Sequence, residues 1–221
     1  MAAPLHIPRV QRADVGLSRA EYATLARLRT PQSIQAFVNA IPANHELDGE
    51  TILSVREVLR QQRAHCIEGA FVAACALWVQ GEPPLLLHLD CDPCDWPHVL
   101  ALYRRDGCYG AISKSNGPLL RFRDPVYRSL RELALSYFHE YSDKDGHKTL
   151  RSYSRVFDLR RVPAAAWVTH RAECREVHDR LADLRHHPLI SRRQARLLAP
   201  RDGMERAAGL LAEHPRPSRP S

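Results

Sequence analysis

The chain has 221 residues, of which 44% are hydrophobic and 26% charged, with a net charge of +7 at pH 7 and a pI near 9.3. That length holds one ordinary domain, or a domain with an appendage, and that balance excludes wholesale disorder. The excess charge is arginine spread along Arg104–Arg105, Arg121–Arg131, Arg160–Arg161 and Arg192–Arg206, with no nucleic-acid motif beside it, so no specific nucleic-acid partner is expected.

Met1–Pro8 has neither a basic n-region nor an apolar h-region, and no later window holds 18 uninterrupted apolar residues. A cytoplasmic protein without a membrane partner is expected; the sequence sets no oligomeric state. Six cysteines stand irregularly at 66, 75, 91, 94, 108 and 174 and are expected as reduced thiols.

In chain order, Ser18-Arg-Ala-Glu21 is a capping-box pattern, Thr30-Pro31 an N-cap followed by proline at N1, and Ser54-Val-Arg-Glu57 a second box. They predict helices over 19–29, 31–40 and 55–62. From Cys66 to Gln80 runs a segment apolar on every side between Ala70 and Val79, closed by Gly81 and Pro83-Pro84. It predicts a buried central helix that begins at a cysteine.

Strands are expected at 85–89, 98–104 and 108–114, the last two joined by the hairpin signal Asp106-Gly107, with a further strand at 119–123. Asp124-Pro125 predicts a helix over 125–141. A loop at 142–147 and an extended stretch at 149–158 follow, then arginine-rich helices over 164–187 and 190–213 and a frayed tail at 214–221. The order predicts an α+β domain over 1–160, with a helical C-terminal extension over 161–213 and a disordered tail.

A thiolate is the nucleophilic form of cysteine, and the positive end of a helix dipole favours it. Cys66 stands in that field, whereas Cys75 is expected as a small buried hydrophobe. A cysteine hydrolase also needs an imidazole and a group to orient it. With a two-residue turn at Asp106-Gly107, Arg105 faces Cys108, and alternation puts His98 on one face with Ser113 as a diagonal neighbour. If the register slips by one, Lys114 or Asn116 takes that place, and an Asn116 amide oxygen would serve well as orienter.

This arrangement resembles the transglutaminase-like superfamily, with its papain-type core: a cysteine opening a buried helix packed on an antiparallel sheet, a histidine opening a strand, and a third residue on the next strand. The runs Arg63-Ala-His-Cys-Ile-Glu-Gly-Ala70, His98-Val-Leu-Ala-Leu-Tyr103 and Gly110-Ala-Ile-Ser-Lys-Ser-Asn116 look like a bacterial branch of it, over residues 30–160. The resemblance implies Cys66 as nucleophile and His98 as base, with Ser113 where many members have aspartate, and Tyr109 where tryptophan is frequent.

It further implies peptide or amide hydrolysis, or acyl transfer, without a cofactor. A member that has lost catalysis would be a binding module of the same fold. The oxyanion would be held by the Cys66 backbone N–H and a second donor, for which Gln61 or Gln62 is the candidate. His65 is expected to diverge from Cys66, and Glu68 to serve the helix dipole.

A competing pattern is Cys91-Asp-Pro-Cys94 with His88, His98 and Cys108, a set able to hold zinc tetrahedrally in an interaction protein. It excludes His98 from acting as a base.

Overall fold

The computed structural model describes residues 7–47 and 49–216. The N-terminal helices start where their caps predict: Ser18, Thr30 and Ser54 accept the backbone N–H groups of Glu21, Ser33 and Glu57. After α1 (Arg12–Val15) these helices are α2 (Arg19–Ala26), α3 (Pro31–Ala40) and α4 (Val55–Gln61). Next comes α5 (Cys66–Val79), in which every residue but Cys66 and Trp78 is buried. Its alanines and glycine let neighbours come close. A Cβ added at Gly69 would lie 2.4 Å from the Cβ of Lys114.

The strands form a single antiparallel sheet: β1 (Leu85–Cys91), β2 (His98–Arg105), β3 (Cys108–Ser113), β4 (Arg123–Tyr127), β5 (Leu150–Ser154), β6 (Phe157–Asp158) and β7 (His186–Pro188). Their order is β4-β3-β2-β1-β5-β7, with β6 beside the first part of β1. The β2–β3 register is that of a two-residue turn, with Arg105 opposite Cys108 and Leu100 opposite Ser113. Asp106 and Gly107 both take positive φ, 49° and 81°, as a type I′ hairpin requires.

Both faces of the sheet are covered, which is why β1 and β2 read as unbroken apolar runs. Leu86, Val99, Ala101 and Ile112 join the core built around α5. Leu87, Leu89, Leu100, Leu102 and Ala111 pack on Leu133, Tyr137 and Tyr141.

Two stretches depart from expectation. The strand expected at 119–123 forms instead as β4, and the helix expected over 125–141 shrinks to α6 (Leu130–Leu135), capped by Ser129. Pro125 lies in β4, an edge strand, where its missing N–H leaves no ladder bond unmade.

The two long helices expected over 164–187 and 190–213 are also absent. Short 3-10 turns, α7 (Arg175–Ala182), β7, α8 (Arg192–Ala195) and α9 (Gly203–Gly209) occupy that length. Pro188, Pro200 and Gly203 interrupt the helical pattern. This stretch contributes β7 to the sheet and Val177 and Leu181 to the α5 core, so it is no separate helical extension. Of the expected tail, His214 is hydrogen-bonded to Asn116, and 217–221 lie outside the described residues. No helix among the described residues is long and apolar enough to cross a membrane.

Candidate active site

Cys66 is the first residue of α5 and remains partly exposed although its helix is buried. His65, the extended N-cap residue, turns its Nδ1 to within 3.9 Å of Sγ. Its Nε2 lies 2.7 Å from the Thr51 carbonyl oxygen, which can only accept, so Nε2 carries a proton and Nδ1 is the atom presented to sulfur. Glu68 Oε1 stands 3.4 Å from the same Nε2, and Glu46 Oε1 stands 3.7 Å from it.

Burial disfavours the imidazolium, but the sulfur beside it and the Glu68 charge outweigh burial and push His65 up to about 10. Desolvation likewise opposes ionisation of Cys66. Hydrogen bonding and positive charge from His65 and His98 overcome it, holding the thiol well below its ordinary range.

His98 opens β2. Its Nε2 is 2.7 Å from Ser113 Oγ, and the Ser113 hydroxyl donates its one proton to the Leu120 carbonyl. Ser113 must therefore accept from His98 Nε2–H, which leaves Nδ1 as the ring nitrogen not committed to that bond. The serine is itself clamped, since the Gln35 amide bonds both its N–H (2.9 Å) and its C=O (2.8 Å).

Behind Ser113 the Leu120 peptide passes the connection on. The Leu120 N–H donates to Glu140 at 2.7 Å, and Glu140 pairs with Arg123 at 2.5 Å. Leu120 sits at φ 55°, a strained position for leucine. A neutral serine thus occupies the orienting place, backed at one remove by a carboxylate.

Other candidates lie elsewhere. Gln62 is the exposed left-handed C-cap of α4, and its Nε2 donates to the Leu59 carbonyl; Gln61 donates to Glu57. Neither lines the cysteine's clefts. Asn116 does not orient His98, because both ends of its amide bond the His214 main chain.

Nor does the zinc set assemble. Cys108 sits at the turn end of the hairpin and His98 at the opposite end of β2. Among the described residues, the side chains within mutual reach of one ion are Asp143, Asp145 and His147. His88 instead contacts His186, Nδ1 to Nε2 at 2.9 Å.

Two clefts, of about 480 Å³ and about 400 Å³, meet at Cys66. His98 lines the first and His65 the second, while Trp96 and Pro97 border both. The loop carrying them is fastened by Tyr141, whose hydroxyl donates to the Trp96 carbonyl, and by Thr149, whose hydroxyl donates to Asp95. Trp96 is 80% exposed, an uncovered aromatic bordering both clefts.

Sequence reasoning missed His65 and the Glu68 cluster. Glu68 is fully buried and accepts bonds from Asn44, Thr51, the Leu53 N–H and the His65 N–H. The signal was present as His65-Cys-Ile-Glu68, in which glutamate at N3 bonds the N-cap N–H and fixes the backbone that aims the imidazole. No protein-family model and no curated protein matches the chain.

Proposed function

We propose that this protein is a cysteine hydrolase or acyltransferase with a transglutaminase-like, papain-type core, acting on a peptide or amide bond through a Cys66 thioester. The observation that carries this reading is a half-buried cysteine at a helix N-terminus, lining two clefts, its sulfur flanked by two imidazoles that favour its ionised form.

The thiolate attacks the carbonyl carbon, and the C–S bond forms as charge moves to oxygen. Backbone N–H groups of the first turn of α5, which have no helical partner, are the donors available to that oxygen. The C–N bond then breaks, and the leaving amine takes from His98 Nδ1 the proton that the Cys66 thiol gave up on ionising. Water or an acceptor amine next gives up a proton to His98 Nδ1 and attacks the thioester, releasing the acyl group and restoring the thiolate. Imidazolium at His65 keeps the sulfur ionised in the resting state.

A catalytically silent binding module of the same fold is the second reading. The observation favouring it is Ser113, which stabilises imidazolium less than a carboxylate would.

The test is the pH dependence of alkylation by iodoacetamide. An ordinary thiol with a pKa of about 8.5 is only about one part in a hundred ionised near pH 6.5. Cys66 is expected to react well before Cys94 at that pH, and Cys75, Cys91 and Cys174, pushed up to about 12 by burial, are expected to stay unmodified. His98→Ala should remove much of the advantage. A Cys66 rate that follows a curve centred near 8.5 rejects the nucleophile and leaves the binding module.

A further inference from the structure

The stretch after α9 lies beside the Cys66 cleft, bends at Glu213 and His214, and is held almost wholly by polar contacts. Glu213 N–H donates to the Asn116 carbonyl at 2.8 Å. The Asn116 side chain then brackets the next residue, with Oδ1 accepting from His214 N–H at 2.8 Å and Nδ2 donating to the His214 carbonyl at 2.9 Å. These three bonds use only the main chain of the bound segment.

Side chains add to them. His214 Nε2 donates to the Asn39 carbonyl at 3.0 Å, and the Glu213 carboxylate pairs with Arg121 at 2.6 Å. Gly209, the last residue of α9, and Leu210 after it line the same cleft as Cys66 and His98.

The segment buries little of itself in return. Residues 202–208 and 210–213 are exposed, Leu210 at 85%. A stretch attached by few contacts and little apolar burial opens at low free energy. The residues it contacts are better covered: Asn39 lies in α3, and Asn116 and Arg121, both partly buried, stand in the loop between β3 and β4.

We propose that the loop carrying Asn116 and Arg121, with Asn39 of α3, is a main-chain subsite for a peptide that bends there and bears an acidic residue, and that Glu213–His214 fill it in cis as a stand-in for substrate. This rests on the assignment of Cys66 as the nucleophile that acts on such a peptide. Asn116 reads the peptide backbone without regard to side chain, Arg121 selects the acidic residue, and the clefts at Cys66 receive the neighbouring bond.

The experiment is fluorescence anisotropy with a labelled peptide of sequence Leu-Leu-Ala-Glu-His-Pro, matching residues 210–215. In the parent chain the tethered segment competes at an effective concentration of about millimolar, so binding in trans is weak. The full-length double variant Glu213→Ala, His214→Pro loses the Arg121 pair, the N–H to Asn116 Oδ1 and the contact to Asn39. It should bind the peptide at least about tenfold tighter than the parent.

Exchanging the peptide's Glu for Lys should weaken binding to that variant about tenfold, as should Asn116→Ala added to it. Equal affinity of parent and released variant, or equal affinity for the Lys peptide, overturns the proposal. The peptide exchange requires no change to the protein's fold. Peptide binding as expected with an ordinary Cys66 pH profile would retain the subsite and reject the hydrolase; a reactive Cys66 without peptide binding would do the reverse.

Discussion

Replacing Glu68 by Gln changes almost no volume and removes one charge at the centre of the site. Oε1 accepts from Thr51 Oγ1 at 2.7 Å and Leu53 N–H at 2.9 Å, while Oε2 accepts from His65 N–H at 2.8 Å and Asn44 Nδ2 at 3.1 Å. A glutamine has one acceptor oxygen. In either orientation its NH₂ group faces a backbone N–H, of Leu53 or of His65, and two donors cannot bond. One buried donor left unmet costs about 1–3 kcal/mol, and the surviving bonds fall from the charge-assisted range of about 1.5–3 to about 1 kcal/mol each.

The expected loss in urea unfolding is therefore roughly 3–5 kcal/mol, a large share of a typical domain's stability. Glu46→Gln provides the control, since that carboxylate also faces His65 but is partly exposed; its loss should stay below about 1 kcal/mol. Glu68→Gln should also shift the Cys66 alkylation profile toward higher pH, because His65 loses the carboxylate that favours its charge. A stability change under about 1 kcal/mol, with an unmoved profile, would refute this account of the buried carboxylate.

Ser113→Ala removes the acceptor for His98 Nε2–H and strands the Leu120 carbonyl; Cys66 alkylation at pH 7 should slow roughly fivefold, the worth of one hydrogen bond of about 1 kcal/mol. Gly69→Ala drives a methyl into Lys114 Cβ, so thermal unfolding should show a loss of about 1–3 kcal/mol. His88 is pushed down to about 4 by burial and then by the neighbouring His186. Its folded pKa lies below the unfolded value, so the unfolded chain binds the extra proton. Stability should be intact above pH 6.5 and fall by up to about 3 kcal/mol as pH drops toward 4, and His88→Gln should flatten that slope in urea titrations.

The first half of the molecule was legible because its signals are local. Ser18, Thr30 and Ser54 cap within three residues, Asp106-Gly107 sets the hairpin register, and α5 is apolar on all sides, so each element could be placed without knowing its neighbours. The pairing of Ser113 with His98 followed from that register. The second half depends on contacts distant in sequence. Pro125 reads as a helix start but lies in an edge strand paired to β3, and His186–Pro188 forms a strand only because β5 offers its edge. In the site, His65 escaped notice because neighbouring side chains were expected to diverge. Its extended backbone, pinned by Glu68 through the N–H and by Thr51 through the ring, brings Nδ1 round to sulfur.

The complete burial of α5 also bears on how the chain reaches its folded state. While the ribosome is still making the protein, Ile67–Val79 has α2, α3 and α4 to pack against, but the first three strands that cover its other side, β1 to β3, are complete only at Ser113. At about 5–20 residues per second, those 34 further residues (113 − 79) take roughly 2–7 s, during which a greasy helix stands half-covered. That exposed interval follows from placing Cys66 at the mouth of a core helix, ahead in the chain of the sheet that supplies His98.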